Sequence, residues 1–228
     1  MIWTLYGFDT LLAIDYSKDV KPILQSKCVL CHGPLRNESG LRLEPKNAAA
    51  WFNMGQSIGF LGRHHDVVKC CDRALEIHPD FSSLWILKGL GFVSMEHFRD
   101  AMDCFQQAEK LGDASAAGHM ARCRMSHAEW YFRLGSRYQQ EGNIAEAINC
   151  YEKGLALNLD GNAIIWSNKG AALLALKRGA EAVVCFDRAI ALDPRNASAW
   201  NNKGCALLSL GQQTEGWACL QEAKRLRA

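Results

Sequence analysis

Large apolar residues return along this chain at a long fixed interval, and each is followed by small ones in a set order. Trp51 and Trp85 are 34 residues apart, as are Trp166 and Trp200, and Tyr131 supplies a fifth aromatic between the two pairs. Gly stands four residues after each of the five, at Gly55, Gly89, Gly135, Gly170 and Gly204. Sixteen residues after the aromatic comes Val67, Ala101, Ala147, Ala182 or Gly216; twenty-three after it comes Ala74, Ala108, Gly154, Ala189 or Ala223. Small residues at these places let two antiparallel helices approach closely, and the bulky Phe105, Tyr151, Phe186 and Leu220 beside them fill the gap between units. A period of about 34 with this order predicts a two-helix unit that stacks on copies of itself to make a shared core.

The first helix of each unit runs through the aromatic and the Gly. A loop follows at pairs such as Leu61-Gly62 and Leu210-Gly211, and then the second helix. Pro79 and Pro194 fall just past second helices, where a missing N–H costs least. Five units account for nearly everything from residue 48 onward. The phase breaks once, because Tyr131 follows Trp85 by 46 residues instead of 34. The twelve extra residues, 116–127, read as helix. They predict an insert or cap that separates units one and two (48–115) from units three to five (128–228). Residues 1–14 read as a leader with weak signal-like character, and residues 15–46 as an irregular segment with a Cys pair. Lys224, Arg225 and Arg227 near the end suit a helix C-terminus.

The order aromatic, Gly, small, bulky, small, Pro over 34 residues resembles the tetratricopeptide repeat. The resemblance spans about 48–228 and departs at Asp113 and Leu159, which replace the terminal Pro in two units. It implies an all-α solenoid of helical hairpins, preceded by a short irregular segment, with a protein or peptide partner in a concave groove. Stacked helix pairs line that groove mainly with first helices, so residues beside the aromatic and one or two turns on should face it. In units one and two these include Phe52, Phe60, Ile86 and Leu90; in units four and five, Asn168, Asn201 and Asn202. The early wall is apolar and the later one polar. Some proteins of this family grip a peptide's C-terminal carboxylate with Lys and Asn, but here the corresponding places hold Phe52, Gln56, Leu87 and Leu90. The apolar wall is expected to be covered by the chain's own residues 1–30, among them Ile2, Trp3, Leu5, Tyr6 and Phe8.

Composition narrows the partners. An apolar content of 49% with 22% charged residues is ordinary for a folded soluble protein, and a net charge of +2 gives no reason to expect nucleic acid. No stretch is apolar for long enough to span a bilayer. Ten cysteines would suggest disulfides if their spacing were irregular. Cys70, Cys104, Cys150, Cys185 and Cys219 instead each lie 19 residues after their aromatic, one recurring site on the second helix. Small apolar thiols on separate helices suit a reducing compartment, the cytoplasm.

One motif carries chemistry: Cys28-Val29-Leu30-Cys31-His32. C-x-x-C-H is the attachment pattern of c-type haem. Two thiols three residues apart reach the two vinyl groups of one porphyrin, and the adjacent His is placed under the iron. With Asp19-Val20, Pro22-Ile23-Leu24, Gly33-Pro34 and Gly40-Leu41-Arg42-Leu43, the motif resembles the start of the planctomycete-type cytochrome c domain over about residues 15–45. That resemblance implies covalent haem c on Cys28 and Cys31, His32 as proximal iron ligand, and a periplasmic location. The array follows at once, so the rest of such a domain is expected to be missing or replaced. Met54, His64 and His65 are the nearest candidates for a distal ligand, and none is assigned. A free dithiol, a disulfide, or zinc lacking a fourth ligand are the alternatives. P-loop, Gly-x-Ser-x-Gly and His-Glu-x-x-His motifs are absent from the sequence. Two functions follow: a non-catalytic protein-interaction scaffold, or a haem-bearing electron-transfer protein whose repeats dock a partner.

Overall fold

Close approach of helices through glycine and alanine sets the architecture. The protein is represented by a computed structural model that describes residues 48–157 and 162–227. The expected leader, the C-x-x-C-H segment with Cys28, Cys31 and His32, the cover by residues 1–30, and Leu159 lie outside the described residues. Those residues form helices and connecting turns, with no strand among them. The helices are α1 (Ala48–Phe60), α2 (His64–Ile77), α3 (Ser82–Ser94), α4 (Phe98–Lys110) and α5 (Ala116–Gln140), followed by α6 (Ile144–Leu157), α7 (Ala163–Ala175), α8 (Gly179–Leu192), α9 (Ala197–Ser209) and α10 (Gln213–Arg225). They pair in chain order as five helical hairpins, so the fold is all-α.

The chain divides into two compact units after Pro79. The first holds the hairpin of α1 and α2, with Ala50, Met54 and Ile58 buried on one helix and Val67, Cys70, Cys71 and Ala74 on the other. The second holds α3 to α10, where α4 packs on α5, α6 on α7 and α8 on α9, linking four hairpins into a stack. Its larger core cluster draws Ile148 and Tyr151 from α6, Ile165 and Leu173 from α7, Cys185 and Phe186 from α8 and Ala206 from α9. In each hairpin of this unit the bulky residue of the second helix lies directly on the glycine of the first. A Cβ on Gly89 would sit 2.5 Å from the Phe105 ring, on Gly135 2.7 Å from Tyr151, on Gly170 2.7 Å from Phe186, and on Gly204 2.8 Å from Leu220.

All five hairpin loops turn the same way. The residue eleven after the aromatic has positive φ in each: Gly62, Glu96, Gly142, Lys177 and Gly211. The next N–H then bonds the carbonyl five residues back, as in His97 to Phe92 (2.9 Å), Arg178 to Leu173 (2.9 Å) and Gln212 to Leu207 (2.9 Å). This left-handed C-terminal cap satisfies carbonyls that the helix end would otherwise leave unpaired. Glycine is the low-cost residue there, and the second and fourth hairpins do without it.

The twelve extra residues are continuous with the first helix of the third hairpin, giving α5 its 25 residues. They do not part the second hairpin from the third, since both lie in the second compact unit. One side of residues 116–127 is buried on α4. Cys123 donates its thiol to the Phe98 carbonyl at 3.6 Å, His119 stacks on Phe105 with centroids 5.4 Å apart, and His127 stacks on Phe98 at 4.5 Å. Polar links repeat between neighbouring hairpins. Lys169 of α7 reaches Glu152 of α6 at 2.9 Å, and Lys203 of α9 reaches Asp187 of α8 at 2.6 Å. Asp113, standing where a terminal Pro was expected, accepts from the Ser82 and Ser115 hydroxyls, and those hydrogen bonds hold its carboxyl below the usual range.

Candidate functional site

In the second unit, the first helices α3, α5, α7 and α9 touch one another in succession. Their outward residues therefore make a shared face, the place where a stacked hairpin array can meet a partner. Its aromatic positions are built alike. Lys88, Lys169 and Lys203 each stand three residues after a Trp and hold their ammonium 5.3, 5.6 and 5.6 Å from the ring centroid of Trp85, Trp166 and Trp200. One turn of helix brings residues three apart together, so sequence spacing alone sets this contact.

The residues expected in the groove fall into different environments. Phe52 and Phe60 belong to the first unit; Phe52 is half-buried, and Phe60, the last residue of α1, is 92% exposed. Ile86 packs against the cluster of Phe98, Phe105 and Cys123, so it anchors α3 on its neighbours. Leu90 is exposed on the same helix. Asn168 is half-buried on α7. Asn201 and Asn202 are brought together, with Nδ2 of the first donating to Oδ1 of the second at 3.5 Å. The structure thus joins the last two, puts Ile86 and Leu90 together on α3, and keeps Asn168 apart on α7.

Sequence reasoning missed the part of the face built by α5 and the start of α7. There Arg122, Met125, Ala128, Glu129 and Phe132 of α5 and Asn162, Ile164 and Ile165 at the head of α7 line a cleft of about 500 Å³. Phe132 and Ile165 also pack on the larger core cluster. Asn162 starts α7 by accepting from the Ile164 N–H at 2.9 Å, satisfying a donor that the helix start leaves free. The available signal was the break in phase, which lengthens α5 beyond the other first helices.

The thiols are spectators on this face, with one exception. Cys70, Cys104, Cys150, Cys185 and Cys219 are all buried on second helices, and Cys205 on α9 is the exposed cysteine among the described residues. Burial pushes the Cys70 thiol up to about 12 and raises Cys123, Cys150, Cys185 and Cys219 as well. Among the described residues, no three His, Cys, Asp or Glu side chains gather as a metal site. No described helix is long and apolar enough to cross a membrane.

Known proteins place this architecture. Family models of the tetratricopeptide repeat match residues 128–160, 163–196 and 185–218. Residues 128–160 and 163–218 are thus built of tetratricopeptide repeats. Superkiller protein 3 of Schizosaccharomyces pombe is 27% identical over 121 residues, 53% of this chain and 8% of the relative. Anaphase-promoting complex subunit 3 of the same organism is 20% identical over 157 residues, 69% of this chain and 22% of the relative. The chain thus spans less than a quarter of the length of either curated relative. Among solved structures, YrrB, described as a TPR protein with an unusual peptide-binding site, is 18% identical with a TM-score of 0.42, over 81% of this chain and 88% of that one. MamA is 18% identical with a TM-score of 0.43, over 76% and 94%.

Proposed function

We propose that the protein is a non-catalytic interaction scaffold whose tetratricopeptide hairpins hold a protein or peptide partner on the first-helix face of the second unit. The observation that carries this reading is the continuity of that face: α3, α5, α7 and α9 meet in succession and present amide and apolar side chains together. Asn201 and Asn202 offer donors and acceptors suited to a peptide backbone, which displays one N–H and one C=O per residue. Phe132 and Ile164, in the cleft between α5 and α7, offer apolar contact. A thiolate is the reactive form of cysteine, and burial opposes it at Cys70, Cys150, Cys185 and Cys219. Free buried thiols also fit a reducing compartment.

The test is a random 12-residue peptide display library panned against the full chain. Enriched peptides should bind saturably and lose at least tenfold in affinity to the Asn168→Ala/Asn202→Ala variant, with unchanged far-UV circular dichroism. An empty enrichment, or peptides indifferent to every substitution on the first-helix face, would overturn the reading.

A further inference from the structure

We propose that the cleft beneath the N-terminal overhang of α5 binds a short amphipathic helix that carries an apolar pair between one acidic and one basic residue. The proposal rests on the scaffold reading and gives that face a location and a ligand chemistry. The overhang comes first. α7 begins three residues before Trp166, whereas α5 begins fifteen before Tyr131. Residues 116–127 therefore run about 18 Å past the point where a helix of ordinary length would start, at 1.5 Å per residue. One side of this overhang is buried on α4 through Cys123. On the other side, the flank of α5 that carries Met125 is exposed.

That open flank is apolar at its centre. Met125 is 64% exposed and Ile164 56% exposed, and both form lips of the same cavity over Phe132 and Ile165. Its ends are charged with opposite sign. Arg122 hydrogen-bonds the His119 ring at 3.0 Å and has no carboxylate partner among the described residues. Glu129 is exposed and has no ion-pair or hydrogen-bond partner among them. The two stand seven residues apart on one stripe of α5, about 10.5 Å along its axis.

This spacing selects the shape of the occupant. On an extended peptide, same-side residues recur about every 6.7 Å, so pairs fall near 7 or 13 Å and miss 10.5 Å. On a second helix laid along α5, residues i and i+7 repeat the spacing itself, and i+3 and i+4 fall between them over Met125 and Ile164. Acid on Arg122 and base on Glu129 complete the match, and a helix with two like charges would meet repulsion at one end.

The probe is a dye-labelled alanine-based peptide with Glu, Leu, Leu and Lys at i, i+3, i+4 and i+7, titrated by fluorescence anisotropy against the full chain. A scrambled peptide places the same four residues on different faces. The intact chain should bind the first saturably and the second at least tenfold more weakly. Met125→Asp and Ile164→Asp, both at exposed positions where far-UV circular dichroism should stay unchanged, should each weaken binding at least tenfold. Glu129→Lys should turn the preference toward a peptide with Glu at both charged places. The proposal is overturned by absence of saturable binding, by equal binding of the scrambled peptide, or by binding that ignores these three substitutions. Library peptides sensitive to Asn168→Ala/Asn202→Ala but not to cleft substitutions would sink the cleft and leave the scaffold standing. No binding peptide from either source would sink both.

Discussion

Replacing Gly170 with Ala is chemically the same step as replacing Gly118 with Ala, yet the two should move stability in opposite directions. Both glycines lie in helices, where Ala is preferred by up to about 1 kcal/mol. At Gly118, in the overhang of α5, an added Cβ meets nothing within 4 Å, so the gain is kept. At Gly170 it would lie 2.7, 2.8 and 3.0 Å from Cε1, Cζ and Cδ1 of Phe186. Carbon atoms rest at about 3.5–4.0 Å, so three contacts become repulsive. Phe186 is 0% exposed and sits in the middle of the larger core cluster, so the ring has no open side to swing toward. Overpacking of this kind costs about 1–3 kcal/mol. After the helix preference is subtracted, Gly170→Ala should lose about 0–2 kcal/mol, while Gly118→Ala gains up to about 1. Urea unfolding followed by circular dichroism reads the difference. With a slope of about 1–3 kcal/mol per molar, the two midpoints should separate by several tenths molar or more, on either side of the parent. Phe186→Leu made in the Gly170→Ala background should cost less than in the parent, with a coupling of at least about 0.5 kcal/mol. Two equal upward shifts with no coupling would refute the reasoning, because they would mean that the Phe186 ring does not lie on Gly170.

The hairpin loops supply a second contrast. Lys177→Gly should stabilise the chain by about 1 kcal/mol and raise the urea midpoint accordingly, since a side chain at positive φ costs about 1–2 kcal/mol and the Lys177 side chain has no partner among the described residues to offset it. Glu96→Gly should bring no such gain, because the Glu96 carboxylate accepts from Trp130 Nε1 at 2.6 Å and Arg133 at 2.9 Å; equal stabilisation by both would count against this account. Acid should loosen the overhang. Burial lowers the pKa of His119 and of His127 below the ordinary 6.5, with Arg122 adding to the shift at His119 and Asp113 opposing it. The unfolded chain then takes up protons first, so stability is full above pH 6.5 and falls as pH drops from there toward the depressed values. His119→Phe/His127→Phe should flatten that fall, and an unchanged pH profile of the midpoint would contradict it. Alkylation mapped by mass spectrometry should label Cys205 well before Cys70, Cys150, Cys185 and Cys219; early labelling of Cys70 would show that its helix is not packed as described.

Much of the fold was legible because one constraint repeats. Ala101, Ala147 and Ala182 recur at the same offset from their aromatics, and each is fully buried where two helices touch. The Lys and Trp pairs of the first helices were equally local, since one helical turn joins them. The turn position was legible only in part. Gly62, Gly142 and Gly211 announce a left-handed residue, while Glu96 and Lys177 adopt the same backbone without announcing it. Of the expected groove, Asn201 and Asn202 had to be near one another because they are neighbours in the chain, whatever the stacking does.

What the chain order alone determined is therefore the unit: a helix, a tight left-handed turn, a second helix, and small residues where the two must meet. Tertiary structure decided the rest, because it depends on which neighbour arrives. An Ile on a first helix reads the same whether it faces a partner or the next helix, and only the packing of α4 and α5 sets the partly buried Ile86 against Phe98, Phe105 and Cys123. Twelve residues of helical character could have capped one stack or lengthened the next; stacking of His119 and His127 on Phe105 and Phe98 ties them to α4 as part of α5. The cleft is a difference between two starting points, that of α5 and that of α7. No spacing within either helix encodes a difference in length between elements that only folding lays side by side.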